Sequence, residues 1–284
     1  MSDSKIIGRP LIKLPLWHTA GNAYGFVFRN LESFFVLAAI PLALTVALWF
    51  LLYGTSSQSL QSFVGSSDAD VRWAAHLFGE IVIWVVFAVA WHRLVLLGSK
   101  ESDGFVQFRF GRREFAYLLY SMLFALPLVF VSLATDQLTS DSDGRSAALL
   151  PLLIALAALV VVVAVVIRCS LLFPAVAVDS DRSLAMAWVQ LKGSTWRMAG
   201  VQVLTFAPFI IAGWIFTALV EDLVTPRFGM ADDYLFPASM YYLGYQVVSF
   251  FSAALTVSAE SFAFRQLTGW APPMSSGRPD APAK

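Results

Sequence analysis

Residues 149–167 read LLPLLIALAALVVVVAVVI, nineteen positions without a single charge or strongly polar side chain. Such a run is as long as the roughly 20 helical residues needed to cross the ~30 Å hydrocarbon core of a bilayer. It is one of six. Further apolar runs cover residues 34–53, 76–97, 115–134, 198–219 and 239–263, and the charge-free run lies within an expected span over 148–169. In lipid every backbone N–H and C=O must find a partner within the chain, so runs of this length are helices. Transmembrane β-strands would instead alternate over about ten residues, and these do not. The fold class expected is therefore an all-α membrane protein with six transmembrane helices. Composition agrees: 58% of the 284 residues are hydrophobic and 13% are charged, against about a quarter charged in soluble domains.

Charge placement orients the spans, because lysine and arginine in short connections bias a segment toward the cytoplasm. Of 19 basic residues, only Arg72, Arg145 and Arg227 fall in the connections after the first, third and fifth runs. Those connections are also acidic, with Asp68, Asp70, Asp136, Asp141, Asp143, Glu221, Asp222, Asp232 and Asp233. Both termini of a multi-pass membrane protein are then expected to be cytoplasmic. Tryptophans fit the same frame: Trp17, Trp91, Trp188, Trp196 and Trp270 fall at the inner edge, Trp49 and Trp73 at the outer edge, with Trp84 and Trp214 as deeper packing residues. The first run is too long for the apolar core of a signal peptide and reads as a retained span. Residues 1–32 are expected to form a mobile cytoplasmic arm and interfacial segment, 33–266 the membrane domain, and 267–284 a flexible tail poor in apolar residues.

The runs also repeat. Odd spans begin with a basic residue and reach a proline, in Arg29 to Pro41, Arg113 to Pro127 and Arg197 to Pro208. Even spans end in WHRLVLLG, IRCSLLFP and FAFRQLTG. The pattern predicts three helical hairpins in one orientation, related as a parallel repeat. Before each odd span lies a stretch mixing basic and apolar residues, at 16–29, 105–113 and 183–197. These predict short amphipathic helices in the headgroup region, basic side chains toward anionic lipid. The segments AWHRLVLLG, RCSLLFPAVAVDSDRSLAMAWVQLKGSTWR and RQLTG resemble the recurring pattern of the YciC-type family of bacterial six-span membrane proteins. They are similar, too, to the membrane domain attached to some glycerophosphodiester phosphodiesterases. The resemblance implies an inner-membrane location; the phosphodiesterase catalytic domain has no counterpart in this sequence, so no activity carries over.

Polar residues inside spans are the candidate sites. His76 and Glu80 are one turn apart on span two and share a face, as a proton or cation site or as a pair at the wet interface. Span six carries Tyr242, Tyr245, Ser249, Ser252, Thr256 and Glu260 at three- and four-residue intervals. This stripe either lines a polar path or provides small hydroxyl groups for close helix packing. Arg93, Arg168 and Arg265 are repeat-equivalent; they could form a ring that contacts lipid headgroups or an anion, partner Glu260, or serve as positive-inside anchors. Nucleotide, metalloprotease and hydrolase motifs are absent from the sequence, and His18, His76 and His92 sit on different segments. Cys169 is alone and reads as a packing residue. Neither metal, cofactor nor nucleic acid is expected as a ligand; the partners expected are membrane lipids and other membrane proteins. The leading expectation is a non-catalytic protein that organises lipid or partner proteins, the alternative a carrier or channel for a small solute or lipid that uses the span-six stripe.

Overall fold

The structure is a computed structural model, which describes residues 13–53, 67–98, 110–140, 149–180, 183–228 and 235–272. Among these every regular element is helical: α1 (Leu16–Arg29), α2 (Leu31–Tyr53), α3 (Ser67–Leu97), α4 (Arg112–Ser140), α5 (Leu149–Cys169), α6 (Leu172–Ala177), α7 (Leu184–Gln190), α8 (Thr195–Phe228) and α9 (Leu235–Thr268). Five candidate spans, in α2, α3, α5 into α6, α8 and α9, are long and apolar enough to cross a membrane. The remaining expected span, 115–134, falls on α4, where several side chains lie outside the described residues. The stretch 105–109 and the tail from 273 onward lie outside them as well.

Burial sorts the helices. The apolar window of α3 is 67% buried and that of α9 61%, against 17% for α2 and 11% for α8. So α3 and α9 form the centre, and α2, α5 and α8 turn much of their surface outward, as lipid-facing helices do. The two central helices run in the same direction, since Glu80 meets Tyr242 and, further along both, Trp91 meets Ser258. Helix α2 runs against both, its start touching Trp91 through Phe34 and its end touching Tyr242 through Trp49. Rings fill the layer between them: Trp84 stacks on Phe250 at 4.4 Å, and Phe34, Phe87 and Trp91 pack edge to face or stacked around it. Close approach is permitted where glycine faces a neighbour. A side chain on Gly244 would strike the Phe216 ring, and one on Gly79 would meet Leu48 at 2.6 Å.

Two of the similar span endings owe their likeness to a helix stop. Gly98 and Gly269 close α3 and α9 with φ of +85° and +65°, left-handed values that glycine adopts without steric cost. Their amides bond back to Leu94 and Arg265. The third ending differs, because IRCSLLFP continues into α6.

Two segments depart from expectation. The arm expected to be mobile is, from Leu14 onward, part of the packed body. Leu14, Ala23 and Val27 are fully buried, the Tyr24 hydroxyl donates to the Leu204 carbonyl, and Thr19 donates to Gln266. Basic residues had marked the segment as a lipid-surface helix, but its small face of Ala20 and Ala23 fits against α8 and α9 instead. The second is α6, in the stretch between the expected span 148–169 and the expected amphipathic segment 183–197, for which the sequence predicts no element. Leu172, Pro174, Ala175 and Ala177 are buried against α3, α4 and α9. Arg93 donates to the Ala177 carbonyl, and Arg113 pairs with Asp179 at 2.6 Å, so α6 is held as a plug over one end of the bundle, hereafter the terminal end. The opposite end, where Tyr53 lies against His76, is the turn end.

Candidate functional site

The polar stripe of α9 is where the candidate residues meet, and helical twist divides it among neighbours. At the turn end, Tyr242 and Gln246 face α3, where both donate to Glu80 Oε1, at 2.7 and 2.6 Å. The expected His76–Glu80 contact exists at 3.4 Å, with the two side chains only 16% and 22% exposed. Glu80 is therefore embedded in a helix interface by donors from a second helix. Tyr245, one residue from Gln246, looks the other way into a cleft.

That cleft, between α5, α8 and α9, has a volume of about 1240 Å³. Its walls are Leu159, Val160 and Val163 of α5 and Val203, Phe206 and Ile210 of α8, all of which are exposed along the cleft mouth. Trp214, expected as a packing residue, stands on this wall and is 73% exposed, whereas Trp84 is a packing residue as expected. The back wall is the stripe itself: Ser249, Ser252 and Thr256. A helical serine or threonine ordinarily donates to the carbonyl one turn back, and Ser258, Ser261 and Thr268 of the same helix do so. Ser252 and Thr256 do not; their hydroxyl oxygens are buried and have no hydrogen-bond partner. An unmet hydroxyl in a low-dielectric interior costs about 1–3 kcal/mol, a cost that a polar group entering from the cleft would relieve.

Toward the terminal end the stripe closes on Glu260, buried at 8% exposure. The partners of its carboxylate are Gln202 of α8, which donates to Oε1 at 2.9 Å, and His92 of α3, whose Nε2 lies 3.8 Å from Oε2. His92 Nδ1 is 2.7 Å from Ser261 Oγ, and the Tyr117 hydroxyl is 3.3 Å from Nε2. Because the Ser261 hydroxyl spends its proton on the Val257 carbonyl, the imidazole donates through Nδ1 and accepts from Tyr117 at Nε2.

A second cavity, about 480 Å³, runs between α3, α4 and α9 and is lined by both Glu80 and Glu260. It shares Trp84, Ala253 and Thr256 with the cleft. The unmet Thr256 hydroxyl thus stands in the wall common to the two.

The arginines take separate partners. Arg93 holds α6, the Arg168 guanidinium lies 4.5 Å above the Trp188 ring, and Arg265 is exposed in the last turn of α9. Gln202, Gln246, His92, Tyr117 and Ser261 were not anticipated as site residues. An amide inside an apolar helix is the signal that would have found the first two. Among the described residues no cluster of histidine, cysteine or acidic groups could hold a metal. No protein-family model, no curated protein and no solved structure matches the chain.

Proposed function

We propose that this protein is a non-catalytic carrier of a membrane lipid or lipid-like amphiphile, which it holds in the cleft between α5, α8 and α9. The observation that carries the reading is the pair of unmet, buried hydroxyls of Ser252 and Thr256 at the back of an otherwise apolar cleft. Apolar walls suit acyl chains, and the hydroxyls suit the ester and glycerol oxygens where chains join a headgroup. Size favours lipid over a small solute, since the cleft, at about 1240 Å³, exceeds the roughly 300–1,000 Å³ of ordinary small-molecule pockets. Its mouth between two lipid-facing helices lets such a ligand enter sideways from the bilayer. In this reading the six runs are six spans in three parallel hairpins, the termini are cytoplasmic in a bacterial inner membrane, and α7 lies at the lipid surface. The resemblance to the YciC-type family supports that frame.

Mass spectrometry of the protein released from native lipid discs tests the reading. The wild type is expected to retain a lipid stoichiometrically. Ser252→Leu combined with Thr256→Leu fills the back wall and removes both hydroxyls, and is expected to lower retention by about tenfold, a loss of about 1.4 kcal/mol. Equal retention by the double variant would remove the cleft from consideration. A stoichiometric protein partner without lipid would favour an organising role instead.

A further inference from the structure

Glu80 and Glu260 lie near opposite ends of the two central helices, yet one cavity touches both. We propose that these carboxylates are the two stations of a proton path through the bundle core, which opens at the rim of the lipid cleft but needs no lipid bound there.

The geometry selects a proton over a metal cation. Each carboxylate is met by hydrogen-bonding groups: the Tyr242 hydroxyl, the Gln246 amide and His76 at Glu80, the Gln202 amide and His92 at Glu260. Amide N–H groups satisfy a carboxylate but repel a hard cation, which needs six or more oxygens. At Glu260 the arrangement goes further. His92 Nε2, which accepts from the Tyr117 hydroxyl, lies 3.8 Å from Glu260 Oε2 in a buried site. A proton held by either group reaches the other through one intervening water, since 3.8 Å is longer than a hydrogen bond.

The groups that face this site are few. Helix α3 contributes His92 and Glu80, α4 contributes Tyr117, α8 contributes Gln202, and α6 contributes Phe173 to the cavity wall. Arg93 of α3 is directed to the Ala177 carbonyl. Between the stations the cavity offers the unmet Thr256 hydroxyl and about 480 Å³ of space, far more than the 10–15 Å³ that admits one water.

A proton taken up from the turn end by the Glu80 carboxylate gives the carboxylic acid. Glu80 then releases the proton to water in the cavity and returns to carboxylate, and the hydrated proton is taken up by Glu260 or His92. Onward release passes the Gln202 side of Glu260 into the rim of the cleft at Thr195, in the first turn of α8. No covalent bond other than O–H and N–H changes, and each carrier ends as it began.

The full-length protein in vesicles of phosphatidylethanolamine and phosphatidylglycerol, loaded with potassium and a pH-sensitive dye, tests the path. Valinomycin sets the interior negative and drives protons inward. Wild-type vesicles are expected to acidify about tenfold or more faster than vesicles bearing Glu260→Gln. Glu80→Gln, an independent substitution at the other station, is expected to give a similar loss. Leu119→Ala, on the exposed side of α4 and lining neither cavity, is expected to keep the wild-type rate. Wild-type acidification no faster than that of protein-free vesicles, or unchanged rates in both glutamine variants with correctly folded protein, would overturn the proposal. Because no lipid ligand is needed for the signal, a failure here leaves the cleft reading standing, and the reverse is also true.

Discussion

Trp91→Ala is expected to be the most destabilising single substitution in the chain, costing about 3–5 kcal/mol. Trp91 is completely buried and joins four helices at once. It touches Phe26 of α1, Phe34 of α2 and Phe87 of its own helix, and donates its indole N–H to Ser258 of α9 at 2.8 Å. Lipid is as apolar as the bundle, so the loss is not one of hydrophobic transfer. It is lost dispersion around a void that rigid rings cannot close, together with one hydrogen bond. Trp91→Phe separates the parts. It keeps most of the ring and loses the N–H, and Ser258 still donates to Ala254, so it is expected to cost only about 1 kcal/mol. Reversible unfolding in mixed micelles of mild detergent and dodecyl sulfate measures both. Equal effects of the two substitutions would mean that the hydrogen bond, and not the aromatic layer, holds these helices together.

Glu80→Leu is expected to cost about 2 kcal/mol, because Tyr242 and Gln246 would both keep a buried donor with nothing to receive it. Glu80→Gln retains a carbonyl acceptor in the same place and is expected to cost less than about 1 kcal/mol. That difference is what makes the glutamine variant suitable for flux measurements. Adding Tyr242→Phe removes one orphaned donor and should recover part of the loss in the leucine variant, while costing stability in the wild-type background. The same unfolding assay reads this double-mutant cycle. Additive effects would show that α3 and α9 are not joined through Glu80.

Helical identity was legible because apolar length is a property of sequence alone. So was the face of α9, since a period near 3.6 places Ser249, Ser252, Thr256 and Glu260 together on any helix. What each residue of that face meets was not legible. Tyr245 and Gln246 are neighbours in sequence, yet one looks into the cleft and the other bonds Glu80, a division set by where α3 and α8 sit against α9. Arginine was the expected partner of Glu260 from proximity to the inner surface. The amide of Gln202 and the ring of His92 reach it instead, because α3 runs beside α9 in the same direction and brings position 92 level with position 260. The burial of α1 and α6 was hidden for a related reason. In α1, basic and small residues mark a lipid-surface helix and a helix packed against other helices equally well, and only the placement of α8 and α9 decides; in α6, six apolar residues carry no mark of the α3, α4 and α9 surfaces that cover them.

The most direct test of the account is a cryo-EM map of the protein in discs of phosphatidylethanolamine and phosphatidylglycerol. Elongated density entering between α5 and α8 and ending within hydrogen-bond distance of the Ser252 and Thr256 hydroxyls is the predicted result. Helices α5 and α8 closed side by side, with Ser252 and Thr256 bonded to carbonyls of their own helix and no room between, would contradict it.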